Sequence, residues 1–596
     1  MAQQIATITN RRGSFLRILA VALLPALVYA NTLGNSFQYD DPHFILNNQY
    51  VHSLAGIGHF FISPRLIGNI PLSGYRPLTM ATFVLNYVAG GQDPLGYHLV
   101  NIAIHVLNTL LVYAAAGALM RSFGIEQSHT AALAVALLFA CHPINTQPVN
   151  YISGRSTLLA GGFSLLCFLL YTRAREPAAF HSEPLIRGHD VPPQAGCPRI
   201  KGNSRRFVAS GAKNLRKTLF LLASLVAYLC ALLSKEEAVA VPGLLALYEI
   251  LRFRLQFDKK RLLQTAIALA PFVALTAGFM VFVVRILRVI GDTQQARGLW
   301  ENLFVQAKAL FIYFRLIALP TNLSIDHVVT TSGSLLAPAA LASVVAAVAL
   351  FAGSLLLIRS LPIVTFGLWW FALALAPSST LVALKLVVNE QRMYLPTVGI
   401  MFIAGYVLGV GLDRNSTGGR KKWRKALICG FSAVLIVLSA LTVNRNTQWR
   451  DPLSLWTSAL EEYPESARAN TQVANIYLAT GRLEDALEAA KRAVKAAPDT
   501  PETRIALANA YTRSGFQQEA LIEARAAVSL NAGSPDAQTT LGVIYARLGR
   551  YDEAEAAWVR ALELDPQNAE AKENIEKLRA AQSEGESNQT GRKSAW

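Results

Sequence analysis

Residues 11–41 read RRGSFLRILAVALLPALVYANTLGNSFQYDD. Arg11, Arg12 and Arg17 come first, an apolar run follows to Ala30, and Asp40 and Asp41 stand shortly beyond it. Basic residues flanking an apolar helix stay on the cytoplasmic side, so a helix over 14–31 is expected to carry the chain outward and leave the acid pair just outside the membrane. The same pattern suits a signal peptide cleaved after Ala30. A retained helix is the reading adopted, because the segment after it carries chemistry that needs a membrane anchor.

Ten further runs of this kind precede residue 450, at 99–120, 129–143, 157–172, 218–234, 238–251, 263–284, 338–358, 362–376, 394–412 and 426–443. Against the roughly 20 residues that a helix needs to cross hydrocarbon, they predict about eleven transmembrane helices, several of them short. A hydrophobic content of 53% over 596 residues and a mean hydropathy of +0.33 exclude an ordinary soluble protein. Alternate loops are basic: 173–217, RFRLQFDKKR, Arg359 and DRNSTGGRKKWRK. The loops 32–98, 142–156, 235–237, 285–337 and 377–393, with everything after 443, then fall on the outer face. Residues 303–320, with VQAKALFIYFRLIALP, are apolar but interrupted by Lys308 and Arg315, and predict an amphipathic helix lying at that outer surface.

Residues 1–450 hold 39 Lys and Arg against 16 Asp and Glu, a net +23; residues 451–596 hold 16 against 22, a net −6. The excess sits in short loops between apolar runs, where it sets orientation, so nucleic acid is not an expected partner. Cys141, Cys167, Cys197, Cys230 and Cys429 show no CxxC spacing and none lies in the tail, which supports neither a disulfide framework nor a zinc site.

The tail repeats with a period of 34 residues in four columns: Tyr477, Tyr511, Tyr545; Gly481, Gly515, Gly549; Ala486, Ala520, Ala554; Ala493, Ala527, Ala561. With Pro464, Pro498 and Pro566 closing the units, this resembles the tetratricopeptide repeat, an α-solenoid whose concave face binds peptides or partner proteins. About three repeats and a capping helix at 567–580 are expected. The domains are therefore a membrane bundle at 1–450, repeats at 451–580 and a polar, disordered tail at 581–596.

Ionisable residues at the ends of apolar helices mark function by default, and here they gather on the outer face. They are Asp40 and Asp41 in FQYDDPHFILNN, Arg76 in SGYRPLT, His98 in YHLVN, His142 and Arg155 in CHPINTQPVNYISGRS, Lys235, Glu236 and Glu237 in SKEEA, and Glu390 and Arg392 in NEQRMYLP. Each has a plain structural reading: Asp-Asp-Pro makes a turn, His142 caps a helix end, Arg155 snorkels, and adjacent opposite charges neutralise each other. Their convergence favours chemistry. One carboxylate would take the proton of an attacking hydroxyl, and His142, Arg155, Lys235 and Arg392 would bind a lipid-linked phosphate and stabilise its departure. Arg76, His98, Glu236, Glu237 and Glu390 would support them.

In order and spacing, FQYDDPHFILNN, SGYRPLTMATFVLNY, GYHLVNIAIHVLN, ACHPINTQPVNYISGRSTLLA, LLSKEEAVAVP, NEQRMYLPTVGI and the repeats resemble the transmembrane and tetratricopeptide-repeat protein O-mannosyltransferases and their bacterial relatives, which share the GT-C fold. The resemblance covers nearly all of the chain. It implies an all-α enzyme that moves a sugar, mannose among the candidates, from a polyprenyl-phosphate donor to a hydroxyl outside the cytoplasm, with inversion. Asp40 maps to the family's catalytic base and Asp41 to its companion. Many relatives have Asp-Glu here, so Asp41 departs from the pattern. No metal ligand set is evident, although some GT-C enzymes use a divalent ion, which Asp40 or Asp41 with Glu237 or Glu390 would hold. The implied partners are the lipid-linked sugar, membrane lipid and a protein or peptide acceptor on the repeats. The implied setting is a bacterial inner membrane with the repeats in the periplasm. Transfer to a lipid or glycan, a repeat scaffold without activity, and a transporter are the competing readings. The transporter is disfavoured because the charges lie at helix ends and not at the bilayer midplane.

Overall fold

The computed structural model describes residues 2–62, 75–125, 128–176, 203–254, 256, 258–290, 298–329, 337–379, 386–414 and 421–584. No strand occurs among them. The chain forms two compact units, residues 1–323 with 329–447, and residues 324–328 with 448–596.

The first unit contains α1 (Ala2–Val28), α2 (Gly56–Ile62), α3 (Pro77–Gly90), α4 (Pro94–Ser122), α5 (Ser128–Cys141), α6 (Thr146–Asn150), α7 (Arg155–Arg175), α8 (Asn203–Leu232), α9 (Val241–Arg252), α10 (Lys259–Ile290), α11 (Leu299–Ala318), α12 (Pro338–Leu355), α13 (Pro362–Ser379), α14 (Tyr394–Arg414) and α15 (Lys421–Gln448). Nine described helices, α1, α4, α7, α8, α10 and α12 to α15, are long and apolar enough to cross a membrane; α5 and α6, bent by 54°, make a tenth if counted as one span. The chain is an integral membrane protein. The run at 238–251 gives α9, twelve residues, lengthened at its start by the 3-10 turn Glu236–Ala240. Lys235 before it meets Thr157 near the start of α7 and Glu249 near its end meets Arg175 at the end of α7, so this segment covers the length of that helix although it is too short to count among the nine. The run at 303–320 becomes α11, with Val305, Ala309, Tyr313 and Leu316 buried in one stripe, as an amphipathic helix requires.

Local sequence explains the long elements. In α4, Asp93 accepts the Leu95 N–H at 3.0 Å and Pro94 fills the first turn, where no amide hydrogen is needed. Helix crossings rely on small residues. A Cβ at Gly367 of α13 would lie 2.4 Å from the Gly399 carbonyl of α14, and one at Gly399 the same distance from the Gly367 carbonyl. These helices therefore touch backbone to backbone. Beside them Phe168, Phe366, Trp370 and Phe402 form one buried aromatic cluster. A smaller core of Ile45, Val51, Phe60, Met80, Phe83, Val84, Tyr97 and Ile152 fixes the loop after α1.

The second unit begins with α16 (Pro452–Glu462) and continues as three helix pairs: α17 (Ala467–Ala479) with α18 (Leu483–Ala496), α19 (Pro501–Arg513) with α20 (Gln517–Leu530), and α21 (Pro535–Arg547) with α22 (Tyr551–Leu564). Gly481, Gly515 and Gly549 turn each pair at φ of 77°, 87° and 78°, the left-handed region that a side chain resists. The two alanine columns are fully buried where the helices meet. Within this unit Asp326 accepts a hydrogen bond from Ser466 Oγ at 2.6 Å, and His327 Nδ1 lies 3.2 Å from the Tyr463 hydroxyl. The capping helix is α23 (Ala569–Glu584), which buries Ala571, Ile575 and Leu578 and runs past the expected start of the disordered tail. Residues 585–596, like Cys197 and parts of the loops at 173–217, 285–337 and 377–393, lie outside the described residues.

Candidate functional site

Tyr39 has a φ of 56°, a costly conformation for a bulky residue and one that tends to persist where a site requires it. The two carboxylates that follow are held differently. Asp41 is fully buried: Oδ1 accepts the Ser153 N–H at 2.8 Å and the Ser153 hydroxyl at 2.6 Å, while Oδ2 accepts the Gln38 N–H at 2.9 Å. Burial pushes its carboxyl up to about 7 against these hydrogen bonds. Asp40 is only half-buried, and its Oδ2 accepts a hydrogen bond from the Tyr151 hydroxyl at 3.0 Å. Burial raises its pKa too, opposed by the Tyr151 hydrogen bond and by the positive charges of His43 and Arg76. Asp41 thus pins the loop, and Asp40 is the carboxylate that an incoming group can reach.

The other clusters come together at the same end of the bundle. Arg76 donates to Glu236 through Nε at 3.1 Å and Nη2 at 2.7 Å. Glu236 is held down to about 2, Arg76 overcoming the effect of burial. Next to it Lys235 donates to Thr157 Oγ1 at 2.9 Å and pairs with Glu237 at 3.0 Å. The Gln391 N–H donates to Gln147 Oε1 at 3.1 Å, the Asn389 N–H donates to the Tyr313 hydroxyl at 2.8 Å, and Glu390 is buried 3.8 Å from Arg445. Arg392 is nearly buried and donates through Nη1 to the Val387 carbonyl at 3.3 Å.

Three expected site residues are internal. His142 donates through Nε2 to the Ile317 carbonyl at 2.9 Å and accepts the Ile144 N–H on Nδ1 at 3.2 Å, so it caps the turn after α5. His98 is fully buried and donates through Nε2 to the Asn35 carbonyl at 3.0 Å. Arg155 is fully buried with each guanidinium nitrogen hydrogen-bonded to α3 or α4. Of the residues suggested for a divalent ion, Asp41 has three donors on its oxygens, Glu237 faces Lys235 and Glu390 faces Arg445, while Asp40 accepts the Tyr151 hydroxyl. Among the described residues no three His, Cys, Asp or Glu gather as a metal set. Sequence reading missed Tyr151 and Ser153, which grip the acid pair although they lie inside the quoted CHPINTQPVNYISGRS.

The arrangement offers one accessible carboxylate beside cations at the mouth of a membrane bundle. Comparison with known proteins finds similarity along most of the chain. Over 505 residues the chain is 26% identical to protein O-mannosyl-transferase TMTC4 of Homo sapiens, covering 76% of this chain and 63% of that protein. This chain is similar to the protein O-mannosyl-transferases. It is 27% identical over 544 residues to TMTC1 of Homo sapiens, covering 82% of this chain and 56% of that one, and 24% identical over 551 residues to Tmtc3 of Drosophila melanogaster, covering 81% and 55%. The chain therefore spans less than two thirds of the length of these relatives. Tetratricopeptide-repeat family models match residues 451–515 and 535–568. Among solved structures, the first TPR of Spaghetti (RPAP3) bound to an HSP90 peptide is 27% identical and covers 20% of this chain and 94% of that one, with a TM-score of 0.19.

Proposed function

We propose that the chain is a membrane glycosyltransferase that moves a hexose, mannose by its relatives, from a polyprenyl-phosphate donor to a hydroxyl of an extracytoplasmic protein, with inversion at the sugar carbon. The observation that carries this is the different bonding of two adjacent carboxylates, which leaves Asp40 oriented by Tyr151 and open to an acceptor. Asp40 acts as the general base on the acceptor hydroxyl. A phosphate leaving group needs little protonation but does need positive charge and donors. Arg392, hydrogen-bonded to a carbonyl, supplies them together with Arg76 and Lys235, whose carboxylate partners Glu236 and Glu237 must share these cations with the phosphate. Arg11, Arg12 and Arg17, within α1 and ahead of most of its apolar residues, support an outward-facing site, and the repeats hold the acceptor protein on the same side.

The test is transfer from a polyprenyl-phosphate mannose to protein in membranes carrying the full chain. No transfer from any polyprenyl-linked donor would leave the non-enzymatic scaffold as the better reading. Deleting 451–596 is expected to abolish protein modification; an intact glycosylation pattern would remove the repeats from acceptor selection, and transfer surviving only to lipid would identify a lipid acceptor.

Tyr151→Phe is expected to slow transfer about tenfold, the scale of a hydrogen bond to a charged group. Since that bond lowers the Asp40 pKa, losing it should move the acid limb of the pH–rate profile to higher pH. An unmoved limb would show that Tyr151 does not tune Asp40.

A further inference from the structure

The opposite end of the bundle holds a cavity that the proposed chemistry does not use. α7, α8 and α10 enclose about 440 Å³ between Arg175, Lys217 and Gln264 at the rim and a wall that includes Leu221, Leu225 and Phe272. This is within the size range of ligand sites. Arg155 opens α7 and Arg175 closes it, so a rise of 1.5 Å per residue puts the cavity about 30 Å along the helix from the acid-pair end.

The charges at the rim do not cancel. Arg175 is tied to the buried Glu249, Nε to Oε1 at 2.5 Å and Nη2 to Oε2 at 3.3 Å, and that pair is neutral. Its Nη1 takes no partner among the described residues. Lys217 is exposed and makes no ion pair among them. Among the described residues the other acidic groups at this end are engaged, Asp258 with Arg261 at 3.6 Å and Glu176 with Arg173 at 3.7 Å, while Arg216, Lys259 and Lys260 add positive charge. Beside the wall, Leu222 and Ile267 keep 54% and 64% of their surface exposed on helices apolar enough to cross a membrane, so the cavity opens toward acyl chains. A basic rim over an apolar wall matches the two ends of one molecule. Basic pockets between membrane helices on the cytoplasmic side bind anionic headgroups.

We propose that this cavity seats one anionic phospholipid of the inner leaflet, its phosphate held by Lys217, Gln264 and the Nη1 edge of Arg175, and an acyl chain laid along Leu221, Leu225 and Phe272. The site is a lipid site separate from the donor's, and it does not depend on the transferase reading.

The test uses the full chain purified in mild detergent and titrated with phosphatidylglycerol, phosphatidylcholine or free glycerol 3-phosphate, read by native mass spectrometry and by melting temperature. Phosphatidylglycerol is expected to be retained at one per chain and to raise the melting temperature, and the other two are not. Lys217→Ala should weaken retention about fivefold, the effect of one basic contact at a membrane surface, and Lys217→Arg should preserve it. Leu222→Trp, at an exposed position the fold tolerates, should block the entrance without changing the lipid-free melting temperature. Equal retention of phosphatidylcholine overturns the proposal. So does an equal response to glycerol 3-phosphate, or retention untouched in both Lys217→Ala and Leu222→Trp. Sugar transfer is not measured, so this result and that of the transferase assay stand apart.

Discussion

Asp40→Asn is expected to lower sugar transfer by roughly 10²–10⁴-fold, the contribution of a positioned general base, with the melting temperature close to wild type. The substitution keeps shape and volume, and the Asn carbonyl oxygen still accepts the Tyr151 hydroxyl hydrogen bond, so only the ability to take a proton is lost. The pH dependence gives a second readout. Burial raises the Asp40 pKa above its ordinary value of 3.8, and the base works only when ionised. Wild-type activity should therefore be complete above that raised value and fall as pH drops through it; in Asp40→Asn the acid limb should disappear. Asp41→Asn is the contrasting variant. Its amide nitrogen must point a donor at the Ser153 or Gln38 N–H, so its defect should appear in stability, by about 1–3 kcal/mol. Transfer unimpaired in Asp40→Asn would remove this residue from the chemistry.

The two carboxylates also show where sequence reading stops. That an acid pair stands just beyond the first apolar run follows from residue order, because the arginines and the apolar length both act locally. Which member is free depends on Ser153, whose N–H and hydroxyl reach Asp41 from 112 positions away. The repeats were legible for the opposite reason. Their glycine turns and alanine contacts recur every 34 residues between neighbouring helices, so each constraint is written close to where it acts. The run at 238–251 looked like its neighbours in composition, but Lys235, Glu236 and Glu237 are drawn into ion pairs and a tighter 3-10 turn, so the stretch that covers the length of α7 is only partly α-helical, which residue types alone do not announce. His142 and Arg155 have the residue types of phosphate ligands, and the groups that enclose them arrive from α3, α4 and α11, which no local pattern announces.

Arg155 gives the second large effect. Its Nε donates to Asn101 Oδ1 at 2.8 Å, Nη1 to Asn86 Oδ1 at 2.6 Å and Nη2 to the Tyr97 carbonyl at 2.9 Å, and its guanidinium lies 4.8 Å from the Phe83 ring centroid. One side chain thereby joins α3 and α4 to the start of α7, directly after the turn through Ser153 that grips Asp41. Arg155→Met would fill much of the same volume but leave the buried Asn101 and Tyr97 acceptors, and the half-buried Asn86, without their donor. Together these should cost roughly 3–5 kcal/mol, the scale for breaking a buried charged network. Arg155→Lys should be only slightly better, since a single ammonium cannot reach three acceptors arranged around a planar fork. The expected result is a large drop in melting temperature for both variants, with transfer lost in proportion to the folded fraction and to the displacement of the Ile152–Gly154 turn. A ligand of the donor phosphate would behave otherwise: the fold would hold and the KM for the lipid-linked sugar would rise. Wild-type melting in Arg155→Met would mean that the guanidinium serves substrate and not the bundle.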